Sequence, residues 1–228
     1  MKQCYFMTVQ YFSDNVPNFA RHRKRDNKKR SYNTMNIIAG MARGVELAVP
    51  EGMPVRPTAG RVRKALFDSL GDIAGMRIVD LCSGSGALAL EAVSRGAESA
   101  YMVELNADHI RYIEENIRRV RAAGVTAQLT VIQCDAAQSR SYLPRLRGVP
   151  DIIFADPPYQ ASAGIFGQLI SDEYFCKNMN GTRLFWEIPD HPGAAGEFLS
   201  RIPKNGKFSL KRYAGTMFLT ARIEYVEG

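Results

Sequence analysis

The sequence predicts an α/β domain built on a mostly parallel sheet. Three observations carry that prediction. From Arg77 onward, short apolar runs alternate with amphipathic stretches, the pattern of strands joined by crossover helices. The runs are continuously apolar rather than alternating, as strands covered on both faces must be. Glycine-rich or acidic residues directly follow several of the runs, where such a sheet opens its ligand crevice.

Residues 1–34 carry eight cations against two carboxylates and so hold most of the net charge of +7. The run from Arg21 to Arg30 has too little apolar content to fold alone. This segment is expected to be a disordered basic extension that attracts polyanions with little sequence preference. An N-terminal appendage is expected over residues 35–70. There Ile37, Ile38 and Ala39, then Val45, Leu47 and Val49, around Gly40 and Gly44, suggest a β-hairpin. Val55-Arg56-Pro57-Thr58 reads as an extended turn, with Thr58 capping a helix over residues 59–70. Val62, Ala65, Leu66 and Ser69 share one face of that helix, and Arg61 and Lys64 lie away from it.

Residues 71–228 are expected to form the main domain. Strands fall at 77–82, 99–104, 128–133, 151–155 and 183–188, with helices near 86–95, 106–122, 136–146 and 162–171. The helix over 106–122 is the clearest, with Asn106 as cap, Ile110, Ile113 and Ile117 on its face, and Gly124 beyond its end. Lys207–Tyr213 and Thr216–Ile223 read as a closing antiparallel hairpin about Ala214-Gly215.

Apolar content of 46% and charged content of 23% are ordinary for a soluble globular protein. No apolar run approaches the length of about 18 residues needed to span a bilayer. Cys4, Cys82, Cys134 and Cys176 show no CxxC or Cys/His ligand spacing. They imply neither a disulfide framework nor zinc, and they fit a reducing cytoplasm with no metal site.

Asp156-Pro157-Pro158-Tyr159 directly follows the apolar run Ile152-Ile153-Phe154-Ala155. Two consecutive prolines fix their own φ and remove two backbone donors, so carbonyls near Asp156 and Pro157 can accept. An amino group on a flat heterocycle needs one carboxylate oxygen and one peptide oxygen of this kind. Tyr159 offers an aromatic face for the same ring. The tetrapeptide also fits a strand-ending turn with no chemistry, so residues upstream decide.

Asp80-Leu81-Cys82-Ser83-Gly84-Ser85-Gly86-Ala87 ends the first parallel strand and begins a helix. Its glycines let the chain turn tightly and let a ligand approach the backbone. Glu104 ends the next strand, where a carboxylate can accept both hydroxyls of a ribose. Gly84, Gly86 and Ala89 also satisfy the dinucleotide fingerprint G-x-G-x-x-A. Asp80, however, suits a cationic ammonium and opposes a pyrophosphate. Cys134-Asp135 ends the third strand, where it can bracket an adenine. Together these strand ends favour S-adenosyl-L-methionine over a nicotinamide cofactor, and a Rossmann-like class I methyltransferase fold.

Met35-Asn-Ile-Ile-Ala-Gly-Met-Ala-Arg-Gly44, Val55-Arg-Pro-Thr58 and Arg61-Val-Arg-Lys-Ala-Leu-Phe67 resemble the N-terminal region of the RsmD family. The segment from Asp80 to Ala92, then Ser94-Arg-Gly-Ala97 and Asp156-Pro-Pro-Tyr159, are similar to that family in order and spacing. The resemblance covers about residues 35–225. Residues 1–34 lie outside it, and Cys82-Ser83 stand where members more often have Phe-Ala. It implies methylation of the exocyclic N2 of one guanine in bacterial small-subunit (16S) ribosomal RNA, with S-adenosyl-L-methionine as donor. Asp156, Pro157, Pro158 and Tyr159 would then be the catalytic group. Asp80, Ser83, Gly84, Gly86, Glu104, Cys134 and Asp135 would hold the cofactor. Arg56, Thr58, Arg61 and Arg63 are candidate contacts to RNA phosphates. The implied partner is the RNA within an assembled or assembling 30S particle, met by a monomer in the cytoplasm.

Two alternatives stay open. A DNA adenine-N6 methyltransferase can use the same four-residue signature, although this chain has little left over with which to read a groove. A non-catalytic RNA-binding assembly factor would need neither Asp156 nor an intact cofactor loop.

Overall fold

The computed structural model describes residues 3–7, 34–50, 59–202 and 207–226. The strands are β1 (Gln3–Met7), β2 (Thr34–Asn36), β3 (Glu46–Ala48), β4 (Arg77–Leu81), β5 (Ser99–Glu104), β6 (Gln128–Gln133), β7 (Ile152–Ala155), β8 (Arg183–Ile188), β9 (Ser209–Tyr213) and β10 (Thr216–Val226). The helices are α1 (Ala59–Leu70), α2 (Ala87–Ser94), α3 (Ala107–Ala122), α4 (Ser139–Tyr142), α5 (Tyr159–Ser171), α6 (Glu173–Asn178) and α7 (Ala194–Leu199).

Eight strands form one sheet in the order β1-β10-β8-β7-β4-β5-β6, with β9 also paired to β10. The five strands from β8 to β6 are parallel, and β10 joins β8 antiparallel. From the central β4 the chain winds one way through β5 and β6, then returns to the other side for β7 and β8. That reversal makes a topological switch point at the C-terminal ends of β4 and β7.

Each parallel strand divides its side chains between two cores. Val79, Leu81, Tyr101, Val103, Ile153, Ala155, Leu184 and Trp186 pack with Phe166 and Phe175 of α5 and α6. On the other face Ile78, Ala100, Met102, Ile152, Phe154 and Phe185 pack with α1, α2 and α3. Val62, Leu66 and Leu70, one turn apart, bury the inner stripe of α1. Phe67 meets Phe154 at 5.5 Å between ring centroids, and Phe154 meets Phe185 at 5.8 Å. Each such pair adds about 0.5–1.5 kcal/mol beyond area burial. Ile37, Ala42 and Leu47 belong to this second core, so the N-terminal hairpin is packed into the domain.

Several expectations are corrected in detail. The N-terminal hairpin pairs Thr34–Asn36 with Glu46–Ala48, and Ile37 to Val45 form its tight end. The helix expected over 136–146 is broken into α4 and a 3-10 turn at Leu143–Arg145, where Pro144 lacks the amide that a continuous helix requires. Helix α5 begins at Tyr159 rather than 162, directly after Pro158. Short helices α6 and α7 were not expected. Gln3–Met7, within the segment expected to be disordered, pairs antiparallel with β10. Cys82 and Cys134 are free, and Cys176 is disulfide-bonded. No helix among the described residues is long and apolar enough to cross a membrane.

Candidate active site

Leu81, the last residue of β4, is in register with Val103 of β5 and with Ala155 of β7. The next residues, Cys82, Glu104 and Asp156, therefore leave the sheet side by side at the switch point. One crevice thus gathers the glycine loop, the second-strand carboxylate and the Asp-Pro-Pro-Tyr segment.

The loop between β4 and α2 is wound tightly. Cys82, Gly84 and Gly86 all have left-handed backbones, with φ of 60°, 56° and 76°. At Cys82 this conformation costs about 1–2 kcal/mol for an L-residue. The hydroxyl of Ser83 donates to the Asp80 carbonyl at 2.6 Å, and its amide donates to the Val103 carbonyl at 3.1 Å. Ser83 is 8% exposed, so its described role is to close the turn. A Cβ at Gly86 would stand 3.2 Å from the Met102 sulfur, a tight contact added to the left-handed backbone there.

Glu104 is buried and holds the loop to its own strand. Its Oε2 accepts the Gly84 amide at 2.8 Å, and its Oε1 accepts the Asn106 amide at 2.9 Å. Each oxygen keeps a second lone pair for a ligand hydroxyl. His109 on α3 places Nδ1 3.5 Å from Oε1. Asp80 is 2% exposed and accepts the Ala89 amide at 3.2 Å. Burial pushes its carboxyl up to about 8, reinforced by the negative charges of Asp156 and Glu104. A buried acid flanked by two others is fitted to a cationic ligand group. The donor set fits S-adenosylmethionine: Asp80 would face its ammonium and Glu104 its ribose.

Cys134 donates its amide to the Glu104 carbonyl at 3.1 Å, and the Asp135 carboxylate accepts the Ala137 amide at 2.9 Å. Both stand at the end of β6, two strands from Cys82 across β5. Pro157 is buried, whereas Asp156, Pro158 and Tyr159 are exposed at the crevice. Tyr159, 39% exposed, heads α5. Among the described residues, no group of three or more His, Cys, Asp or Glu is placed to hold a metal ion.

The candidate RNA contacts divide. Arg61 is exposed on α1. Arg63 is 5% exposed, and its assignment to an RNA phosphate is corrected. Its guanidinium donates to the Asn36 carbonyl and lies 3.4 Å from the buried Glu91 carboxylate. Arg56 and Thr58 lie outside the described residues.

Sequence reasoning missed the polar ties beneath this site. Glu91, fully buried on α2, accepts the Ile38 amide at 2.8 Å and the Ala39 amide at 3.1 Å, and pairs with Arg95 at 2.8 Å. Ser94 donates to the Ala39 carbonyl at 2.6 Å and accepts the Ala42 amide at 2.9 Å. Asn116, also fully buried, binds Ala48 and Ser85. One signal existed: Asn116 is a polar residue at helical spacing between the buried Ile113 and Val120.

The fold and the crevice define a class I S-adenosylmethionine-dependent methyltransferase fold. The chain belongs to the family described as conserved hypothetical protein 95, which matches residues 35–178. It is 35% identical over 128 residues to ribosomal RNA small subunit methyltransferase D of Escherichia coli K12, a match covering 55% of this chain and 61% of that relative. The protein of that name from Haemophilus influenzae is 30% identical over 128 residues, covering 55% of this chain and 64% of the relative. The matches thus span less than two thirds of these relatives' lengths. Among solved structures, the Escherichia coli protein yhhF superimposes with a TM-score of 0.61 at 26% identity, covering 84% of this chain and 98% of that one. Precorrin-6y C5,15-methyltransferase from Geobacter metallireducens GS-15, with a TM-score of 0.56 at 13% identity over 78% of this chain and 94% of that one, shares the fold.

Proposed function

We propose that this protein methylates the exocyclic N2 of a guanine in small-subunit ribosomal RNA, using S-adenosyl-L-methionine, within an assembled or assembling 30S particle in the cytoplasm. The observation that carries this is the register of Leu81 with both Val103 and Ala155, which brings the glycine loop, Glu104 and Asp156 to one crevice. The names of the Escherichia coli and Haemophilus influenzae relatives support ribosomal RNA as the substrate class.

When bound, the cofactor supplies an electrophilic methyl group on a sulfonium. Glu104 and Asp80 would hold its ribose and ammonium, and Glu104 fixes the turn of the loop through the Gly84 amide. The target nitrogen is a poor nucleophile because its lone pair is delocalised into the ring. Asp156 and the Pro157 carbonyl accept its two N–H bonds, turning the lone pair toward the crevice. Tyr159 stacks on the extruded base and keeps water from the amine. Positioning and electrostatics supply the acceleration, and the proton leaves to Asp156 or to water after transfer. Arg61 is the described candidate for contact with an RNA phosphate.

The test is transfer of a labelled methyl group to small-subunit RNA or particles that lack the modification, followed by nucleoside analysis. N2-methylguanosine is expected. N6-methyladenine in DNA with no label in RNA would shift the substrate to DNA. Cofactor binding without transfer would leave the assembly-factor role.

A further inference from the structure

We propose that His109 is a positioning residue for the cofactor, its imidazole N–H holding the Glu104 carboxylate against the repulsion of its acidic neighbours and aimed at the ligand's paired hydroxyls. The inference rests on Glu104 as the ribose carboxylate, as proposed above.

Glu104 is 7% exposed, and each of its oxygens takes one backbone donor, Gly84 on Oε2 and Asn106 on Oε1. Those amides set where the carboxylate stands, and they stand it in acidic company. The negative charges of Glu104 and Asp156 both bear on Asp80, so the crevice gathers all three acids. Like charges brought together in a dry site repel strongly, because little water screens them. Two neutral amides are a small offset to that repulsion.

His109 adds a third donor from the side. It lies in the first turn of α3, three residues beyond the Asn106 cap. Its Nδ1 stands 3.5 Å from Oε1 and is buried without a hydrogen-bond partner. A lone pair on that nitrogen would face the carboxylate lone pairs and repel them, so Nδ1 carries a proton. The contact is longer than the usual N–H···O bond of about 2.9 Å. It therefore favours the carboxylate charge without filling the Oε1 lone pair that a ribose hydroxyl needs. The His109 side chain is 26% exposed and borders an open groove with Ala48, Pro50 and Tyr112. Its replacement accordingly leaves no cavity in either core.

The test is a double-mutant cycle on the dissociation constant of S-adenosylhomocysteine, measured by calorimetry. The proteins are the wild type, His109→Leu, His109→Ala, Glu104→Gln and each His109 variant combined with Glu104→Gln, all checked by thermal melting. Either His109 variant alone is expected to weaken binding by about 3–10-fold. It should raise the KM for S-adenosylmethionine likewise, with kcat held within about 2-fold. In the Glu104→Gln background there is no carboxylate for the ring to hold, so losing His109 should cost no further affinity. A packing role predicts the same loss in both backgrounds, and that result overturns the proposal. A loss in Glu104→Gln beside wild-type affinity in both His109 variants strikes this proposal alone. Unchanged affinity in Glu104→Gln strikes the ribose reading, and this proposal with it.

Discussion

The Glu104 carboxylate accepts the amide of Gly84 at 2.8 Å, so the residue expected to hold the cofactor's ribose also holds the glycine loop in its turn. Glu104→Ala removes both functions. Cofactor affinity is expected to fall by about 10-fold or more, since hydrogen bonds to charged groups contribute about 1.5–3 kcal/mol. Turnover at saturating cofactor should change far less. Isothermal calorimetry decides this, and normal affinity in the variant would remove Glu104 from the site.

Asp156 is expected to divide the other way. Asp156→Ala should keep the cofactor dissociation constant within about 2-fold while lowering kcat by about 100-fold or more, as loss of a preorganised electrostatic contact does. Single-turnover methylation beside equilibrium cofactor binding separates the two. A variant with wild-type turnover would mean that the amine is held elsewhere.

Asp80 gives a pH signature. Its carboxyl titrates at about 8 in the folded protein because it is buried, near Asp156 and Glu104. Between the usual carboxylate range and pH 8 the folded protein holds a proton that the unfolded chain has lost, so this group makes stability fall as pH rises through that window. A bound ammonium favours the carboxylate, so cofactor binding near pH 6.5 should release a proton. Calorimetry in buffers of different ionisation enthalpy should register that proton in the wild type and not in Asp80→Asn, whose stability should also lose this slope.

Gly40 and Gly44 offer a contrast in packing. Both have left-handed backbones, with φ of 81° and 86°. A Cβ at Gly40 would fall 1.8 Å from the Ser94 carbonyl oxygen, whereas at Gly44 nothing lies within 4 Å. Gly44→Ala should cost about 1–2 kcal/mol, the backbone term alone. Gly40→Ala should cost clearly more in urea denaturation, because α2 or the hairpin must move. Equal losses would mean that the hairpin does not dock on α2 as described.

Arg61 and Arg63 are two residues apart and should behave oppositely. Arg63→Ala removes one of the two cationic partners of the buried Glu91 and the donor to the Asn36 carbonyl, and is expected to destabilise by about 1–3 kcal/mol. Arg61→Ala should leave the melting temperature unchanged and lower RNA affinity with a shallower salt dependence. A stable Arg63→Ala that binds RNA poorly would reinstate Arg63 as a surface contact.

That pair also shows what the sequence could and could not disclose. Strands β4 to β8 were legible to within a residue because each carries a short apolar run bounded by polar or turn residues. The crevice followed from the order of those ends, since a parallel sheet delivers all of them to one side. Arg63 was misread because its partner Glu91 is distant in sequence, and a basic residue on a helix looks solvated until the opposing surface is known. Asn116 and Glu91 were missed for the same reason: their partners are backbone groups, which carry no residue identity. Pro144 marked the break in the helix expected over 136–146, yet local periodicity outweighed it.

Strand β10 gives one edge to two strands in succession, β9 along Thr216–Thr220 and β1 along Arg222–Val226. Gln3–Met7 thus give the basic segment a part in the sheet as well as charge. A chain shortened to begin at Met35 would bare the main-chain donors and acceptors of β10 from Arg222 to Val226. An uncovered edge of that kind is a template for a strand from another copy. The shortened protein should keep its crevice yet self-associate with rising concentration, visible as drifting sedimentation at constant specific activity. Its defect would be colloidal rather than catalytic.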